Sequence, residues 1–450
     1  MKEREDTMTY KEAMEFVVQA DAYCGEMGLE AIGTLLHELG NPEKELTFIH
    51  VGGTNGKGSI SAYLAFILAA AGYKVGRYIS PTIRQYRERI QCLEWREGRT
   101  DISFIPEENF VAETEKLYIA YEKMKQSQKQ LPSAFELETA LSFLYFKDCK
   151  CDVVMLEVGM GGKRDATNII SDSACTVFAS ISMDHMNVLG NSLSEIAQEK
   201  AGIIKSKGHV VAYDYQTWCK ERDIKNTISP ILKQCCKEKD ASIRFADFSK
   251  LSNEHHSMDG IEFDYGDYKK IVTPLLGKNQ VKNAAVALEC VSLLKERGWN
   301  ITRDAVYAGM NHVIWEGRFQ VIWKYPYYIV DGAHNEDAAR SLAESVSLYL
   351  KDKKILCIVG ILADKEYEKV LGHVAPLAKK IITVTPDNER ALSAVKCMEV
   401  AKVFCPCVEV GETVERAMDM ARLEEKEYDA VLIFGSLYYL HHVYDYIEKR

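Results

Sequence analysis

The amino-acid sequence predicts an α/β fold in which strands and helices alternate along most of the chain. Short runs rich in Val and Ile, typical of buried strands, are separated by longer stretches with helical periodicity, first before residue 213 and again beyond residue 327. Such alternation predicts a mostly parallel, doubly wound sheet with helices on both faces. A further observation is the glycine-rich turn around a lysine at residues 52–58, directly after the first apolar run.

Composition and charge restrict the classes of protein to which this chain can belong. Its 450 residues suffice for two or three domains with their own cores. The net charge of −10 disfavours nucleic-acid binding, which needs a basic face, but allows a local basic pocket. The sequence has no apolar run that predicts a membrane span, and it begins with a charged segment. Its thirteen cysteines lack zinc-site spacing, so we expect reduced thiols in a cytoplasmic protein.

The first strand and the turn after it carry the strongest chemical signal. Phe48–Val51 is an apolar run, followed by glycines at 52, 53, 56 and 58 around Lys57. An apolar helix is predicted from Ser59 to about residue 71. Backbone N–H groups, the positive end of the helix dipole and the lysine charge would cradle a phosphate. The turn departs from the strict P-loop pattern at Val51 and Gly58, and a glycine-rich turn without a ligand is the alternative.

The N-terminal domain is predicted to span residues 1–311. Its helices are predicted at 9–24, 28–39, 107–127, 133–147, 193–205 and 277–297, and Ser133 with Glu136 fits a capping box. Its remaining strands are predicted at 74–79, 152–158, 174–181 and 210–213, with a short edge strand at 90–93 and a small antiparallel patch at 240–275.

A linker at 312–318 is predicted to lead into a C-terminal domain at 319–450. There the alternation restarts, with strands predicted at 327–330, 355–359, 380–384 and 430–434. The prediction is therefore a P-loop-containing, doubly wound N-terminal domain and a smaller, Rossmann-like α/β C-terminal domain.

Polar side chains at the ends of neighbouring strands predict a cation site. Ser59 follows the lysine, Glu157 ends a buried strand, and His185 follows the next strand. In a parallel sheet such positions meet at the edge where ligands bind. A hydroxyl and a carboxylate suit Mg²⁺ beside a nucleoside triphosphate, whereas His185 is a less usual ligand. The alternatives are that Glu157 caps the following turn and that His185 is a core histidine bonded to Asp184.

Lys200 lies on a helix that carries apolar neighbours, including Ile196 and Ala201. A desolvated lysine has a lowered pKa and becomes nucleophilic, so it can form a carbamate or bind an anion. From the helical pattern alone, a position on the solvated edge of the helix is favoured over both.

In the C-terminal domain, a second polar strand–turn–helix junction spans Asp331–Asn335. Asp331 can accept from ribose hydroxyls, and His334 or Asn335 can contact a phosphate or a substrate. Arg318 can neutralise charge on a triphosphate, with a domain-interface salt bridge as the alternative. Ser436 fits a helix N-cap as well as it fits a ligand.

Taken in order along nearly the whole chain, these motifs resemble the folylpolyglutamate synthase/dihydrofolate synthase group of the Mur ligase family. The matching stretches are Gly53–Ser59, Ser80-Pro81, Glu88–Ile90, Phe135-Glu136 with Thr139, Leu156–Gly162, Asp165–Asn168, Asp184-His185, Ile196-Ala197, Glu199–Ile203, Gly317–Phe319, Asp331–Asn335, Asp364-Lys365 and Gly435–Tyr438.

The resemblance implies an ATP-dependent ligase that joins L-glutamate to a folate through an acyl phosphate. It implies ATP contacts from Gly56, Lys57, Gly58, Ser59, Asn283, Arg318 and Asp331. It implies Mg²⁺ ligands at Ser59, Glu157 and His185, and a carbamylated Lys200 that helps to hold a second ion. Folate contacts are implied for Ser80, Pro81, Ser133, Arg164, Asp165 and Ala166, and glutamate contacts for Ser436 with His334 nearby. Catalytic roles are expected of Lys57, His185, Lys200, Arg318 and His334, in a monomer.

Three positions depart from the family pattern. They are Thr82 where His is usual, Glu336 where Pro is usual, and Glu366 where Asp is usual. Only the first affects a predicted substrate contact. The alternatives are a dihydrofolate synthase or bifunctional enzyme acting on dihydropteroate, a Mur-type ligase for another acid, and a P-loop ATPase or binding protein without ligase activity.

Overall fold

The computed structural model describes residues 7–20, 28–184, 189–215 and 222–450. The chain divides into two compact units. The first consists of Met1–Ser80, Arg87–Phe248 and Ala284–His312, and the second of Pro81–Tyr86, Ser249–Asn283 and Val313–Arg450. The last segment of the second unit begins at Val313, which lies inside the predicted linker. Residues 249–283, which the sequence assigned to the N-terminal domain, also group with the second unit. The domain bounds drawn from the sequence stay a prediction.

An eight-stranded sheet forms the centre of the first unit. Its strands are β1 (Phe48–Gly52), β2 (Val75–Tyr78), β3 (Ile90–Arg96), β4 (Arg99–Phe104), β5 (Val153–Glu157), β6 (Cys175–Phe178), β7 (His209–Ala212) and β8 (Ser242–Phe245). Their order across the sheet is β4-β3-β2-β5-β1-β6-β7-β8. The strands β3 and β4 run antiparallel to their neighbours, and the other pairs are parallel.

Two sequence predictions for this sheet are wrong in detail. β3 is not an edge strand, because β4, which the sequence analysis did not predict, pairs with it and forms the edge. β8 was assigned to the antiparallel patch but joins the large sheet, parallel to β7. Both missed strands are short and at least partly exposed along their length, so they lack the apolar run that marks a buried strand.

The connections place a topological switch point between β1 and β5. The chain passes from β1 over β5 to reach β2, and from β5 over β1 to reach β6, in opposite directions across the sheet. Ligands of open α/β sheets bind beyond the carboxyl ends of strands at such a point. The register places Val51, just before the glycine turn, opposite Glu157 at the end of β5.

Helices accompany this sheet, and the predicted ones are present, most with ends shifted by a few residues. The end of the helix predicted at 9–24 lies outside the described residues. The helix Lys57–Ala70 is buried from Gly58 to Ala69, which explains its lack of a polar face. The capping box predicted at Ser133 and Glu136 is confirmed. The other helices of this part are Tyr10–Gln19, Glu30–Glu38, Glu107–Gln126, Ala134–Asp148, Leu193–Ala201, Arg222–Glu238, Gln280–Glu296 and Arg303–His312. In the ranges that the structure describes, no helix has the length and apolar character of a membrane span.

The second unit contains two sheets. Strands β9 (Leu251–Ser257), β10 (Gly260–Tyr265) and β11 (Tyr268–Thr273) form the predicted antiparallel patch. The larger sheet contains β12 (Gln320–Lys324), β13 (Tyr327–Asp331), β14 (Ile355–Val359), β15 (Lys380–Val384), β16 (Val408–Glu412) and β17 (Ala430–Phe434). Its order is β12-β13-β17-β14-β15-β16, with only β12 antiparallel.

The four strands predicted for the second domain are confirmed as β13, β14, β15 and β17, whereas β12 and β16 were not predicted. The core of this sheet is built from residues such as Val330, Ile358 and Ile433. Its longer helices are Glu336–Tyr349, Tyr367–Val374, Ala394–Ala401, Val414–Glu424 and Leu440–Glu448.

Candidate active site

The glycine turn after β1 adopts a backbone that only glycine accommodates well. Gly53 has φ +133° and Gly56 has φ +96°. A Cβ on Gly53 would lie 2.8 Å from the Cβ of Ala179. The turn therefore needs glycine at 53 for its backbone angles and for its close approach to the segment after β6.

The helix that follows begins at Lys57, two residues earlier than predicted, and its start is open. Its N-cap is Gly56, which offers no side chain to the helix N–H groups, and its first turn carries no acidic residue. Nothing in these residues therefore neutralises the positive end of the helix dipole. This is the arrangement that favours binding of an anion such as phosphate.

Residues after β6 hold the turn in place. The Thr54 and Asn55 N–H groups both donate to the Ser180 carbonyl, at 2.6 and 3.2 Å. The Thr54 hydroxyl donates to the Ser182 carbonyl at 3.1 Å, and the Ser180 hydroxyl donates to the Asn55 carbonyl at 3.0 Å. Residues 180 and 182 thus supply hydrogen-bond partners to Thr54 and Asn55, and these bonds hold the turn in its shape without a ligand.

Two predicted lysines meet at this turn. The Lys200 Nζ donates to the Gly53 carbonyl at 3.0 Å, and the Lys57 Nζ lies 3.4 Å from the same oxygen. Lys200 is buried, with 4% of its surface exposed, so the solvated position favoured by the helical pattern is wrong. Burial, and then the Lys57 charge, lower the pKa of Lys200 to about 7. A substantial fraction of the Lys200 side chain is therefore a neutral amine beside the phosphate turn near pH 7.

The two predicted magnesium ligands that the structure describes are Ser59 and Glu157, both buried. His185 lies outside the described residues. Among the residues described, no group of three or more His, Cys, Asp or Glu side chains is arranged to hold a metal. Mg²⁺ does not require one, because it binds through one or two carboxylates and completes its shell with phosphate oxygens and water. A hydroxyl and a carboxylate at the switch point therefore fit this ion.

Arg77 is a functional candidate that the sequence analysis missed. It lies on β2, and only 1% of its side chain is exposed. Its Nη2 lies 3.4 Å from the Gly58 carbonyl, which belongs to the phosphate turn. Burial lowers the pKa of Arg77 to about 10, while the Glu157 charge opposes that shift. The sequence did contain a signal for this role, since Arg77 is the one charged residue within the short strand β2. A buried arginine needs a counter-charge, so such a residue indicates a nearby acidic group.

The predicted folate contacts in the loop 159–168 are partly used to build that loop. Asp165 is buried and accepts from the Met160 N–H at 2.9 Å and from the Thr167 N–H at 3.0 Å. Burial raises the pKa of Asp165, and these hydrogen bonds oppose the shift. Arg164 is exposed and Ala166 is buried.

The remaining predicted folate contacts lie on separate elements. The Ser133 hydroxyl is engaged in capping the helix Ala134–Asp148. Ser80 follows β2 and is partly exposed, and Pro81 is exposed.

In the second unit, the ends of β12 and β13 form a compact polar junction. The Asp331 carboxylate accepts from the Phe319 and Ala333 N–H groups, each at 2.8 Å. Burial raises the pKa of Asp331, and the Arg318 charge opposes this. A Cβ on Gly332 would lie 2.6 Å from Nη1 of Arg318, so glycine leaves the space that the guanidinium occupies.

Ser436 and His334 belong to the same end of this sheet. Asp331 lies opposite Phe434 in the register of β13 and β17, and Ser436 follows two residues later, buried. His334 Nδ1 lies 2.8 Å from the Gly332 carbonyl. The Ser436 hydroxyl accepts from the Tyr438 N–H at 3.2 Å. The structure therefore groups Arg318, Asp331, His334 and Ser436.

Asn283 lies on another element, the helix Gln280–Glu296. It is buried, and its amide donates to the Gln280 side chain at 3.3 Å.

Both halves of the chain match domain families of the Mur ligases. Residues 97–291 match the Mur ligase middle domain, and residues 317–437 match the Mur ligase glutamate ligase domain. The second match contains Arg318, Asp331, His334 and Ser436.

Similar proteins cover nearly the whole chain. The dihydrofolate synthase/folylpolyglutamate synthase of Bacillus subtilis is 30% identical over 439 residues, which cover 96% of this chain and 97% of that protein. The folylpolyglutamate synthase of Lacticaseibacillus casei is 31% identical, covering 86% of this chain and 87% of the relative. A structure of Mycobacterium tuberculosis folylpolyglutamate synthase complexed with ADP is 25% identical, with a TM-score of 0.85, covering 97% of this chain and 98% of that one. This chain therefore belongs to the folylpolyglutamate synthase/dihydrofolate synthase family of Mur ligases.

Proposed function

We propose that this protein is an ATP-dependent amide ligase that adds L-glutamate to a reduced folate and so produces folylpolyglutamates. The observation that carries the proposal is the open helix start at Gly56–Lys57, placed at the sheet switch point of a chain that belongs to this family. The relatives named above supply the acceptor class and the amino acid, and the structure of one of them holds ADP.

The reaction runs in two steps. A folate carboxylate oxygen attacks the γ-phosphorus of ATP, the bond to the bridging oxygen breaks, and ADP leaves an acyl phosphate behind. The α-amino group of glutamate then attacks the acyl carbon, the amide bond forms, and inorganic phosphate departs with the carboxylate oxygen. Activation is needed because a free carboxylate has no leaving group that an amine can displace.

In the first unit, the turn from Gly56 to Ser59 would hold the ATP phosphates through backbone N–H groups. Lys57 would neutralise charge on the transferred phosphoryl group. Ser59 and Glu157, with His185, would hold Mg²⁺, which when bound supplies further charge neutralisation at the phosphates. The turn is already fixed by Ser180 and Ser182, so little reorganisation is required when ATP binds.

Lys200 would act as a carbamate. Its neutral amine would attack carbon dioxide and release a proton to solvent, and the carbamate formed would supply an oxygen ligand for a second metal ion. The environment supports this chemistry because the amine is desolvated, lies next to Lys57 and has a lowered pKa.

In the second unit, Arg318 and Asp331 would contact ATP together with Asn283. Ser436 and His334 would bind the incoming glutamate. The match of residues 317–437 to a glutamate ligase domain supports this assignment, as does the grouping of four of these side chains at one end of the sheet.

Ser80, Pro81, Ser133, Arg164, Asp165 and Ala166 would contact the folate. The free thiols of the described cysteines fit the further proposal of a cytoplasmic enzyme. We also propose that it acts as a monomer, which light scattering of the purified protein would test.

The decisive experiment incubates the protein with ATP, Mg²⁺, glutamate and either a reduced folate or dihydropteroate, and identifies products by mass spectrometry. We expect the folate to gain glutamyl residues, with phosphate released only when acceptor and glutamate are both present. Turnover of dihydropteroate alone would make the protein a dihydrofolate synthase, and turnover of both would make it bifunctional. Phosphate release that needs neither acceptor nor glutamate would contradict the ligase proposal and support a P-loop ATPase.

A Lys200→Ala variant tests the carbamate. We expect it to remain folded and to lose ligation, and full activity would overturn this role.

A further inference from the structure

A buried histidine connects the phosphate strand to the loop 159–168. His50 lies on β1, two residues before Gly52, and its side chain has no exposed surface. Its Nε2 lies 2.9 Å from the Thr167 hydroxyl, across 117 positions of the chain. Neither the sequence motifs nor the proposed roles assign His50 a task.

The direction of each hydrogen bond follows from counting protons. The Thr167 hydroxyl donates to Oδ1 of Asp165 at 2.5 Å, and this uses its only proton. The hydroxyl oxygen must therefore accept from His50, so the ring proton lies on Nε2. Nδ1 is buried and has no hydrogen-bond partner among the residues that the structure describes.

The ring is neutral, because a second proton on Nδ1 would place a charge on a buried nitrogen that has no acceptor among the described residues. Burial, with a smaller contribution from the Lys205 charge, lowers the pKa of His50 well below its usual value. The structure also explains why an apolar residue at position 50 could not replace this histidine. A leucine would fill the space without leaving a buried ring nitrogen unpaired, but it would give Thr167 no donor.

Asp165, at the far end of this chain of bonds, determines the shape of the loop. Besides Thr167, it accepts from the Met160 N–H at 2.9 Å, and it caps the short helical turn Ala166–Ile169. His50, Thr167 and Asp165 thus connect β1 to both ends of the segment that carries Arg164 and Ala166.

We propose that His50 is a positioning residue for the acceptor substrate: through Thr167 and Asp165 it fixes the loop 159–168 in the conformation that binds the folate. This rests on the proposed function, because it takes that loop to contact the acceptor. His50 is not among the residues proposed to contact ATP or the reacting carboxylate. Its loss should therefore weaken acceptor binding and spare ATP binding.

The test compares His50→Leu, which removes the donor, with His50→Gln, whose amide N–H can replace Nε2–H. Thr167→Val and Thr167→Ser form a second pair that leaves the ring intact. The matched control is Thr176→Val. Thr176 is also buried and lies opposite His50 on β6, and its hydroxyl lies 3.1 Å from that of the nearby Ser173.

Two readouts are measured for each variant: KM for the acceptor and for ATP, and calorimetric Kd for the reduced folate. We expect His50→Leu and Thr167→Val each to raise acceptor KM and folate Kd about tenfold, as expected for one lost buried hydrogen bond. ATP KM should change by less than about twofold. His50→Gln and Thr167→Ser should restore most of the acceptor binding. The double variant His50→Leu/Thr167→Val should raise folate Kd no further than the more impaired of the two single variants, because both remove the same hydrogen bond.

Unchanged acceptor KM and folate Kd in His50→Leu and Thr167→Val would overturn the inference. An equal rise in Thr176→Val, or a parallel rise in ATP KM, would also overturn it by showing general loosening of the sheet. Failure of the proposed function is a separate outcome, since the wild-type protein would then not ligate glutamate, while the binding measurement would still test His50. Thermal unfolding identifies any variant that does not fold. If His50→Leu does not fold, the comparison of Thr167→Val with Thr167→Ser tests the inference in its place.

Discussion

Two of the glycine-containing strand–helix junctions of this protein, those after β1 and after β13, look alike in sequence and differ in electrostatics. After β1, Gly56 caps the helix with no side-chain bond, and no acidic residue lies in its first turn. After β13, the Asn335 side chain accepts from the Ala338 N–H at 2.9 Å. Glu336 and Asp337 then occupy the first turn of the second helix. The start of the first helix is therefore open to an anion. At the start of the second helix, the Asn335 cap and the two carboxylates already offset the positive end of the helix dipole.

This difference separates the tasks of the two junctions. An uncapped helix start attracts phosphate, whereas one occupied by a side chain and two carboxylates repels it. The second junction instead presents Arg318 and the Asp331 carboxylate. We therefore expect substitutions in the first junction to abolish phosphoryl transfer and substitutions in the second to change binding or stability.

The largest effect is expected for Lys57→Ala. Removing this charge should lower kcat by about 10³-fold, because Lys57 would stabilise charge that develops during phosphoryl transfer. Steady-state ligation measures it, with Lys123→Ala, a surface lysine that is 3.8 Å from Glu38, as the control. A Lys57→Ala enzyme as active as the control would remove the functional distinction between the junctions.

The next effect concerns stability. Arg77→Met leaves the buried Glu157 without the nearby guanidinium charge, and unpairing a buried charge costs about 3 kcal/mol. Urea unfolding measures this loss. A stability equal to that of the wild type would show that Arg77 does not compensate Glu157.

A smaller effect is expected in the second junction for Gly332→Ala. Its new Cβ would lie 2.3 Å from Cδ2 of Leu437 and 2.6 Å from Nη1 of Arg318, which must move. ATP KM should rise about tenfold as the arginine contact weakens. Gly33→Ala is the control, because its Cβ would meet Ile169 at an ordinary 3.5 Å. Unchanged ATP KM would argue against a role of Arg318 in ATP binding.

The smallest effect is expected for Asn335→Ala, which removes a helix cap and should cost about 1 kcal/mol of stability. Asn335→Ser should retain most of it. Neither should change ATP KM, because this helix start is not a phosphate site. A large increase in ATP KM for Asn335→Ala alone would mean that the second junction also binds phosphate.

Local sequence was sufficient for the elements whose signals are local. The apolar run of β1 and the glycines after it predicted a strand, a turn and a helix, and Ser133 with Glu136 predicted a helix start. β8 was misassigned because Ser242–Phe245 lacks an apolar run and acquires its sheet partner through its register with β7.

The sequence predicted the candidate site residues that lie at strand ends. It did not predict those whose role depends on burial in the folded protein. Lys200 was placed by resemblance, since the helical pattern alone favoured a solvated position. Arg77 and His50 were missed because each depends on a partner distant in sequence, Glu157 and Thr167 respectively. Neither burial nor a hydrogen-bond direction can be deduced from spacing along one strand.

The most direct test of the central claim follows a single oxygen atom. A reduced folate labelled with oxygen-18 in its terminal carboxylate is ligated to glutamate, and the released phosphate is analysed by mass spectrometry. If the first junction presents ATP to that carboxylate, one labelled oxygen must leave with phosphate when the amine displaces it. Amide formation that yields phosphate free of oxygen-18 would contradict the acyl phosphate and the role assigned to the Gly56–Ser59 turn.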